Sequence, residues 1–230
     1  MEAAPPAQAP ALEDPVGFEA LGDDLVLRAL VRAPFVTHGS LQAVNHRFKS
    51  ILGSPAFLKQ RVTSGFVEHG LICAGGARRG RATADCWMLS SGGRWRPIAP
   101  LSGIRRFADS AIVEDEDGQP EMWVMGGAGG GVDLTTVEAY NPRTNTWRSC
   151  LPLSQRRTGA VAGVVGGRLV VAGGYGGYGS LTSVEAYTPT GWTPLPRLPH
   201  AAEGATACVL NGRLYVMGGM GGSGVHPVPV

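Results

Sequence analysis

In RLVVAGGYGGYG (168–179), Gly174, Gly176 and Gly179 fit the spacing G-x-G-x-x-G. In a strand–turn–helix context such glycines hold the pyrophosphate of a dinucleotide against the N–H groups that open a helix. The residues that follow, SLTSVEAYTPTGW (180–192), are not helical in pattern. They alternate apolar and polar, are rich in β-branched side chains, and are cut by Pro189 and Gly191. That describes a second strand and a turn, and a chain with 35 glycines meets the spacing by chance. Other chemistry is equally unmarked. His69, His200 and His226 are widely separated, and Cys73, Cys86, Cys150 and Cys208 form no C-x-x-C pair and have no histidine at metal spacing. No Ser/His/Asp set or carboxylate pair stands out by spacing. No catalytic residue, metal or cofactor is expected.

What the glycines do recur in is a repeat. GLICAGG (70–76), EMWVMGG (121–127), RLVVAGG (168–174) and RLYVMGG (213–219) are apolar strands ending in Gly75-Gly76, Gly126-Gly127, Gly173-Gly174 and Gly218-Gly219. The first glycines of the pairs are 51, 47 and 45 residues apart. A second strand follows in three copies, DCWMLS (85–90), TVEAYN (136–141) and SVEAYT (183–188), with Trp87, Tyr140 and Tyr187 in matching places. Trp95, Trp147 and Trp192 come next, and further apolar runs (108–114, 159–165, 204–210) separate the units. A period near 50 with four short strands per unit describes the blades of a β-propeller.

Gly-Gly, an aromatic about thirteen residues on and then a spaced tryptophan resemble the kelch repeat, over residues 70–223 with starts near 70, 121, 168 and 213. The resemblance implies paired glycines that turn the chain tightly with φ > 0 and aromatics packed between blades. With strands lettered A to D outward from the axis, the chain enters at a strand B (70–76) and stops after a strand B (213–219). That makes about three and a half blades of four-stranded antiparallel sheet, short of the roughly four that close a ring. The tail 224–230 adds no strand in this reading, because Pro227 and Pro229 lack the N–H a ladder needs. A truncated gene product, or an open arc with bare edges prone to self-pairing, is expected.

Residues 18–62 differ and read as three helices. The first starts at Asp23 or Asp24, suited to capping, and stops before Pro34. The second runs on from Ser40 with Leu41, Val44, Phe48, Ile51 and Leu52 on one stripe, and Ser54-Pro55 opens the third. Leu25, Val26, Leu27, Leu30 and Val31 exceed what one face of a 45-residue segment buries, so the repeats or another protein must cover the excess.

Leu21, the acidic pair, LVLRAL, LQAVNHRFKSIL and SPAFLKQR resemble an F-box, of the plant type that precedes kelch repeats. Gly22 stands where that family carries proline, and Phe48 where it carries tryptophan. The resemblance implies an α plus all-β chain: a disordered leader (1–17), an F-box (18–62), a linker (63–69) and an incomplete kelch propeller. It implies a substrate receptor of an SCF-type ubiquitin ligase that itself catalyses nothing. A Skp-family adaptor, and through it a cullin, would contact Leu21, Leu25, Leu30, Leu41, Val44 and Phe48, each of which is otherwise a core residue. Alternatives are a kelch scaffold without a ligase, or a kelch-type metal or redox enzyme.

Composition excludes little else. Hydrophobic residues are 43%, charged residues 17% and the net charge is +2, which argues for neither nucleic acid nor membrane. No run approaches the roughly 18 apolar residues of a span, and MEAAPPAQAPALEDP (1–15) lacks the basic start and apolar core of a secretory signal. Reduced cysteines buried in strands favour a cytoplasmic or nuclear setting.

Strand alternation puts B–C and D–A loops on one face. That face collects Arg78, Arg79, Arg81, Arg105, Arg106, Arg156 and Arg157 against Asp133, Glu203 and Asp109, while the other face carries EDEDGQPE (114–121). The expected ligand is an acidic or phosphorylated segment of the target, with carboxylate or phosphate held by guanidinium forks.

Overall fold

The structure is a computed structural model that describes residues 22–33, 38, 41–65, 69–90 and 93–221, and the backbone of 225–228. Leu21 and the proposed leader lie outside them. The chain divides into two compact units, residues 1–67 and 68–230.

The first unit contains helices α1 (Asp23–Leu30), α2 (His46–Gly53) and α3 (Pro55–Thr63). Asp23 and Asp24 occupy the first turn of α1, where the helix dipole favours acids, but neither caps it. The cap is Gly22, without a side-chain bond, and the Asp23 carboxylate instead accepts from Arg47 Nε at 2.7 Å. The expected continuous second helix is broken. Residues 41–42 are helical, a turn follows, and α2 starts afresh at His46. The cause is Asn45, extended at φ −162° and ψ 168°, whose side-chain oxygen accepts from Phe48 N at 2.8 Å. Asparagine satisfies an N-terminal donor better than it continues a helix. Ser54 caps α3 as expected, accepting from Phe57 N, with Pro55 in the first turn. Val26, Leu30, Val31, Phe48, Leu52 and Phe57 form the core. Each large apolar side chain there contributes about 1.5–3 kcal/mol on burial. Buried Arg61 donates to the carbonyls of Val31 (3.0 Å) and Ala33 (2.6 Å), which the end of α1 leaves without helical partners.

The second unit is an arc of four antiparallel sheets. The first joins β1 (Leu71–Ala74), β4 (Cys86–Leu89) and β5 (Trp95–Ile98), with β2 (Ala77–Arg78) and β3 (Arg81–Ala82) as a small hairpin between β1 and β4. The second comprises β6 (Asp109–Glu114), β7 (Pro120–Met125), β10 (Val137–Asn141) and β11 (Thr146–Cys150), with β8 (Ala128–Gly129) and β9 (Val132–Asp133) as the matching hairpin. The third orders β12 (Val161–Val165), β13 (Arg168–Ala172), β14 (Val184–Thr188) and β15 (Gly191–Leu195). The fourth contains β16 (Thr206–Leu210), β17 (Arg213–Met217) and β18 (Val225–Val228). The inner strands β6, β12 and β16 pack in succession. Trp123, Met125, Val137, Leu169 and Val171 fill the space between the second and third sheets, and Val161, Val170, Val184, Leu214 and Val216 that between the third and fourth. No ladder joins the fourth sheet to the first among the described residues.

Two expectations are corrected here. The tail does form a strand: β18 pairs with β17, with Pro227 opposite Tyr215. Among the described residues it is an edge strand, which needs donors on one side only and so tolerates proline. The matching place of Tyr140 and Tyr187 in the first sheet is Leu89, not Trp87. Leu89 lies opposite Leu71 and Trp95, as Tyr140 lies opposite Met122 and Trp147. Trp87, opposite Cys73, holds the register of Glu138 opposite Val124.

Candidate protein-binding face

The loop face is built from the glycine corners upward. Both glycines of every pair have positive φ. The N–H of Gly76, Gly127 and Gly174 donates to the carbonyl of Arg105 (2.8 Å), Arg157 (2.8 Å) and Ala202 (2.7 Å) in the next unit. There is no room for a side chain: a Cβ on Gly126 would stand 2.3 Å from the Arg157 carbonyl oxygen, and one on Gly173 2.3 Å from that of Ala202. At Gly218 nothing lies within 4 Å. Residues 184–188, after the Gly174-x-Gly176 stretch, are strand β14, so no helix is present to receive a phosphate.

Over two of the four corners, Gly126 and Gly173, lies a buried arginine. Arg157, 1% exposed, places Nε 2.8 Å from Glu185 Oε1, donates Nη1 to the carbonyls of Gly173 (2.8 Å) and Ser183 (3.0 Å), and Nη2 to Ser183 Oγ (2.9 Å). Arg105, 2% exposed, pairs with Glu138 and reaches the carbonyls of Gly126 and Thr136. Glu138 and Glu185 also accept from the backbone N–H of Ser102 and Ser154. Burial pushes both guanidinium pKa values down, and the glutamate beside each pushes back. Arg105 and Arg157 are therefore corrected from ligand-binding to structural residues. They are sealed from solvent and their bonded donors go to the glycine corners and the paired glutamates, Arg105 Nε alone lacking a partner.

Two of the three repeat tryptophans bond back to the preceding unit. Trp147 Nε1 donates to Ala99 O (2.7 Å) and Trp192 Nε1 to Leu151 O (2.9 Å), each in the preceding sheet or the loop after it. Their rings lie 5.1 Å and 5.5 Å from those of Tyr140 and Tyr187. Burial raises the Tyr140 pKa to about 12. Trp95 and Trp87 remain nearly half exposed.

What faces outward is a row of loops stitched together by bridges Thr83–Arg105, Arg106–Ala128, Thr158–Tyr175 and Glu203–Met220. Arg78, Arg79, Arg81 and Arg156 are exposed and Arg106 half-buried, and none has a carboxylate partner among the described residues. Arg106 donates to Gly80 O (3.2 Å) and lies over the Phe107 ring at 5.2 Å. Two of this face's acids are hydrogen-bonded, while Asp85, in the loop of Arg78, Arg79 and Arg81, is exposed. Asp133 accepts from Thr158 Oγ1 (2.6 Å) and Glu203 from Ser180 Oγ (2.8 Å). Asp109 sits on an inner strand and accepts from Ala162 N, its pKa raised by burial. The sequence reading missed the apolar side of this face: Ile104, Phe107, Val132, Tyr178 and Met220 are all exposed. Aromatic and arginine side chains together are the residue types that dominate protein interfaces.

Elsewhere the acidic run is partly structural. Asp115 closes its own turn and reaches Arg143 at 4.0 Å, and buried Glu121 binds Arg148 at 2.6 Å. In the helical unit Leu25 (54%) and Val44 (62%) are exposed, while Leu30 and Phe48 are buried and Leu41 packs against the core. Leu30 and Phe48 are thereby corrected from contact residues to core residues. Cys73 and Cys208, expected to be buried, are exposed; Cys86 is buried and its pKa raised by desolvation. Among the described residues no group of three or more His, Cys, Asp or Glu side chains converges on a metal-sized site, and no helix is long and apolar enough to cross a membrane.

Comparison with known proteins follows the repeats. Residues 119–153 and 156–199 match the family described as the kelch motif. Kelch-like protein 35 of Mus musculus is 31% identical over 63% of this chain and 24% of its own length. A putative F-box/kelch-repeat protein of Arabidopsis thaliana is 26% identical over 70% of this chain and 42% of its own. A kelch repeat and BTB domain-containing protein of Caenorhabditis elegans is 29% identical over 33% of this chain and 13% of its own. The chain thus spans less than half the length of these relatives. Residues 119–199, which form the second and third sheets except for β6 and carry both buried arginine–glutamate pairs' acids, are kelch repeats.

Proposed function

We propose that the chain is the substrate-recognition subunit of an SCF-type ubiquitin ligase. Its helical unit docks a Skp-family adaptor and, through it, a cullin; its kelch repeats hold the target protein; it catalyses no reaction itself. The observation that carries this reading is the order of parts, an F-box-like helical segment followed by kelch repeats, with the F-box/kelch-repeat relative aligned over 70% of the chain. Exposed Leu25 and Val44 supply apolar surface suited to an adaptor. The target binds the loop face through an acidic or phosphorylated segment, held by Arg78, Arg79, Arg81, Arg106 and Arg156. The free cysteines fit a reducing cytoplasmic or nuclear setting.

Co-purification of the full chain with the adaptor tests the first half. Leu25→Asp or Val44→Asp places a charge in the contact at a cost of several kcal/mol and abolishes binding without unfolding the chain, since both sites are exposed. Unchanged binding by both variants refutes it. A kelch interaction scaffold outside any ligase is the second reading, favoured by the family match lying wholly within residues 119–199; partner binding at the loop face with no adaptor binding would establish it.

A further inference from the structure

Three D–A loops lie in register: Arg105-Arg106-Phe107, Arg157-Thr158-Gly159 and Ala202-Glu203-Gly204. The third residue of each has positive φ, 55°, 61° and 64°. Consecutive loops are linked through it, Gly159 N donating to Phe107 O (2.8 Å) and Gly204 N to Gly159 O (2.8 Å). The conformation is therefore imposed by the repeat, and two of the three positions meet it with glycine. A bulky L-residue in this region is an outlier. Nor does the ring repay the fold by burial: it is 61% exposed, and its ring contact is with the Arg106 guanidinium. Strain kept at an exposed aromatic points to function.

The Arg106 that lies over this ring also lines a cleft, together with Gly80, Arg81, Ile104, Gly129 and Gly130. Its glycine walls leave backbone bare, and at Gly129 they must, since a Cβ there would stand 1.9 Å from Ile104 O. Ile104, 47% exposed, gives the cleft an apolar side; Arg81 and Arg106 give it positive charge, with no carboxylate partner among the described residues.

We propose that Phe107 is the anchor of the loop face, packing an apolar side chain of an extended acidic segment of a partner protein whose neighbouring carboxylates lie on Arg81 and Arg106. This rests on the reading of the loop face as the target-binding surface. Charge complementarity selects the partner: Arg78, Arg79, Arg81, Arg106 and Arg156 have no carboxylate partner among the described residues, and they outnumber Asp85, Asp133 and Glu203 on these loops.

A displayed library of 12-residue peptides, selected on the full chain, provides the probe, and fluorescence anisotropy of the selected peptide provides the readout. Acidic sequences with an adjacent apolar residue are enriched. Phe107→Gly weakens binding about tenfold, yet raises Tm by about 2–4 °C because the strain is relieved. Leu210→Ser, an exposed apolar residue beside the opposite turns, leaves binding within about twofold. Binding retained by Phe107→Gly, or a lowered Tm, overturns the anchor; if Arg81→Glu with Arg106→Glu still weakens binding about tenfold, the loop-face reading survives it. If neither variant weakens binding, both fall. Selection of neutral or basic peptides overturns the acidic partner.

Discussion

Replacing Arg157 by methionine keeps a flexible side chain of similar reach and removes only the guanidinium. Four contacts disappear: Glu185 at 2.8 Å, the Gly173 and Ser183 carbonyls at 2.8 and 3.0 Å, and Ser183 Oγ at 2.9 Å. What remains matters more than what is lost. Glu185 is 2% exposed, and a buried carboxylate stripped of its partner costs about 3–5 kcal/mol. Domains have about 5–15 kcal/mol in total, so Tm should fall by about 6–20 °C for a unit of this size. The double variant Arg157→Met with Glu185→Gln is the informative comparison. Glutamine still accepts from Ser154 N, bonded to Glu185 at 3.1 Å, but carries no charge. It should restore about 2 kcal/mol or more of the loss. Urea unfolding of the full chain, read for both variants, measures this. A single variant within about 1 kcal/mol of the parent, or a double variant no more stable than the single, refutes the argument that the buried pair holds the corner.

Two further outcomes follow from the same geometry. Gly126→Ala drives a Cβ against the Arg157 carbonyl and should cost more than about 2 kcal/mol, whereas Gly218→Ala, with open space around it, should cost about 1 kcal/mol from its positive φ alone; equal losses in thermal melts would show that the corner is not tight. Asp109 has a raised pKa when folded, so its ionisation opposes folding: the stability it contributes is full below its unfolded pKa and lost as pH rises through the folded value. Asp109→Asn, which still accepts from Ala162 N, should stabilise the chain at pH 7, with the gain vanishing in acid; destabilisation at pH 7 in calorimetry would overturn the assignment.

The repeat was legible in the sequence because the glycine pairs answer to a positive φ joined, at Gly75, Gly126 and Gly173, to a backbone approach too close for a Cβ. Gly75, Gly126, Gly173 and Gly218 all turn with positive φ. The fate of the arginines was not. In the first doublet Arg105 is buried and Arg106 is not; in the second Arg157 is buried and Arg156 is not. Composition cannot separate them, but register can. Arg105 and Arg157 stand two residues before a positive-φ position, and their partners Glu138 and Glu185 stand at the same place in their strands. The fourth unit has Ala202 in the arginine place, and β18 puts His226 opposite Val216, where a glutamate would fall. Both members of the pair are absent together. Counting from the glycines would also have put Leu89 in the tyrosine position instead of Trp87, but not Phe107 in a glycine position, because the spacing from the glycine pairs to that place differs between units. Asn45 misled for the opposite reason: a local side-chain hydrogen bond outweighed a good apolar stripe.

The face that binds is most directly tested by hydrogen exchange of the full chain with and without the selected acidic peptide. Protection is predicted in 77–82, 104–107 and 128–133, the loops carrying Arg78, Arg81, Arg106 and Phe107. Protection confined to the opposite turns, 115–119, 142–145 and 166–167, would contradict the account.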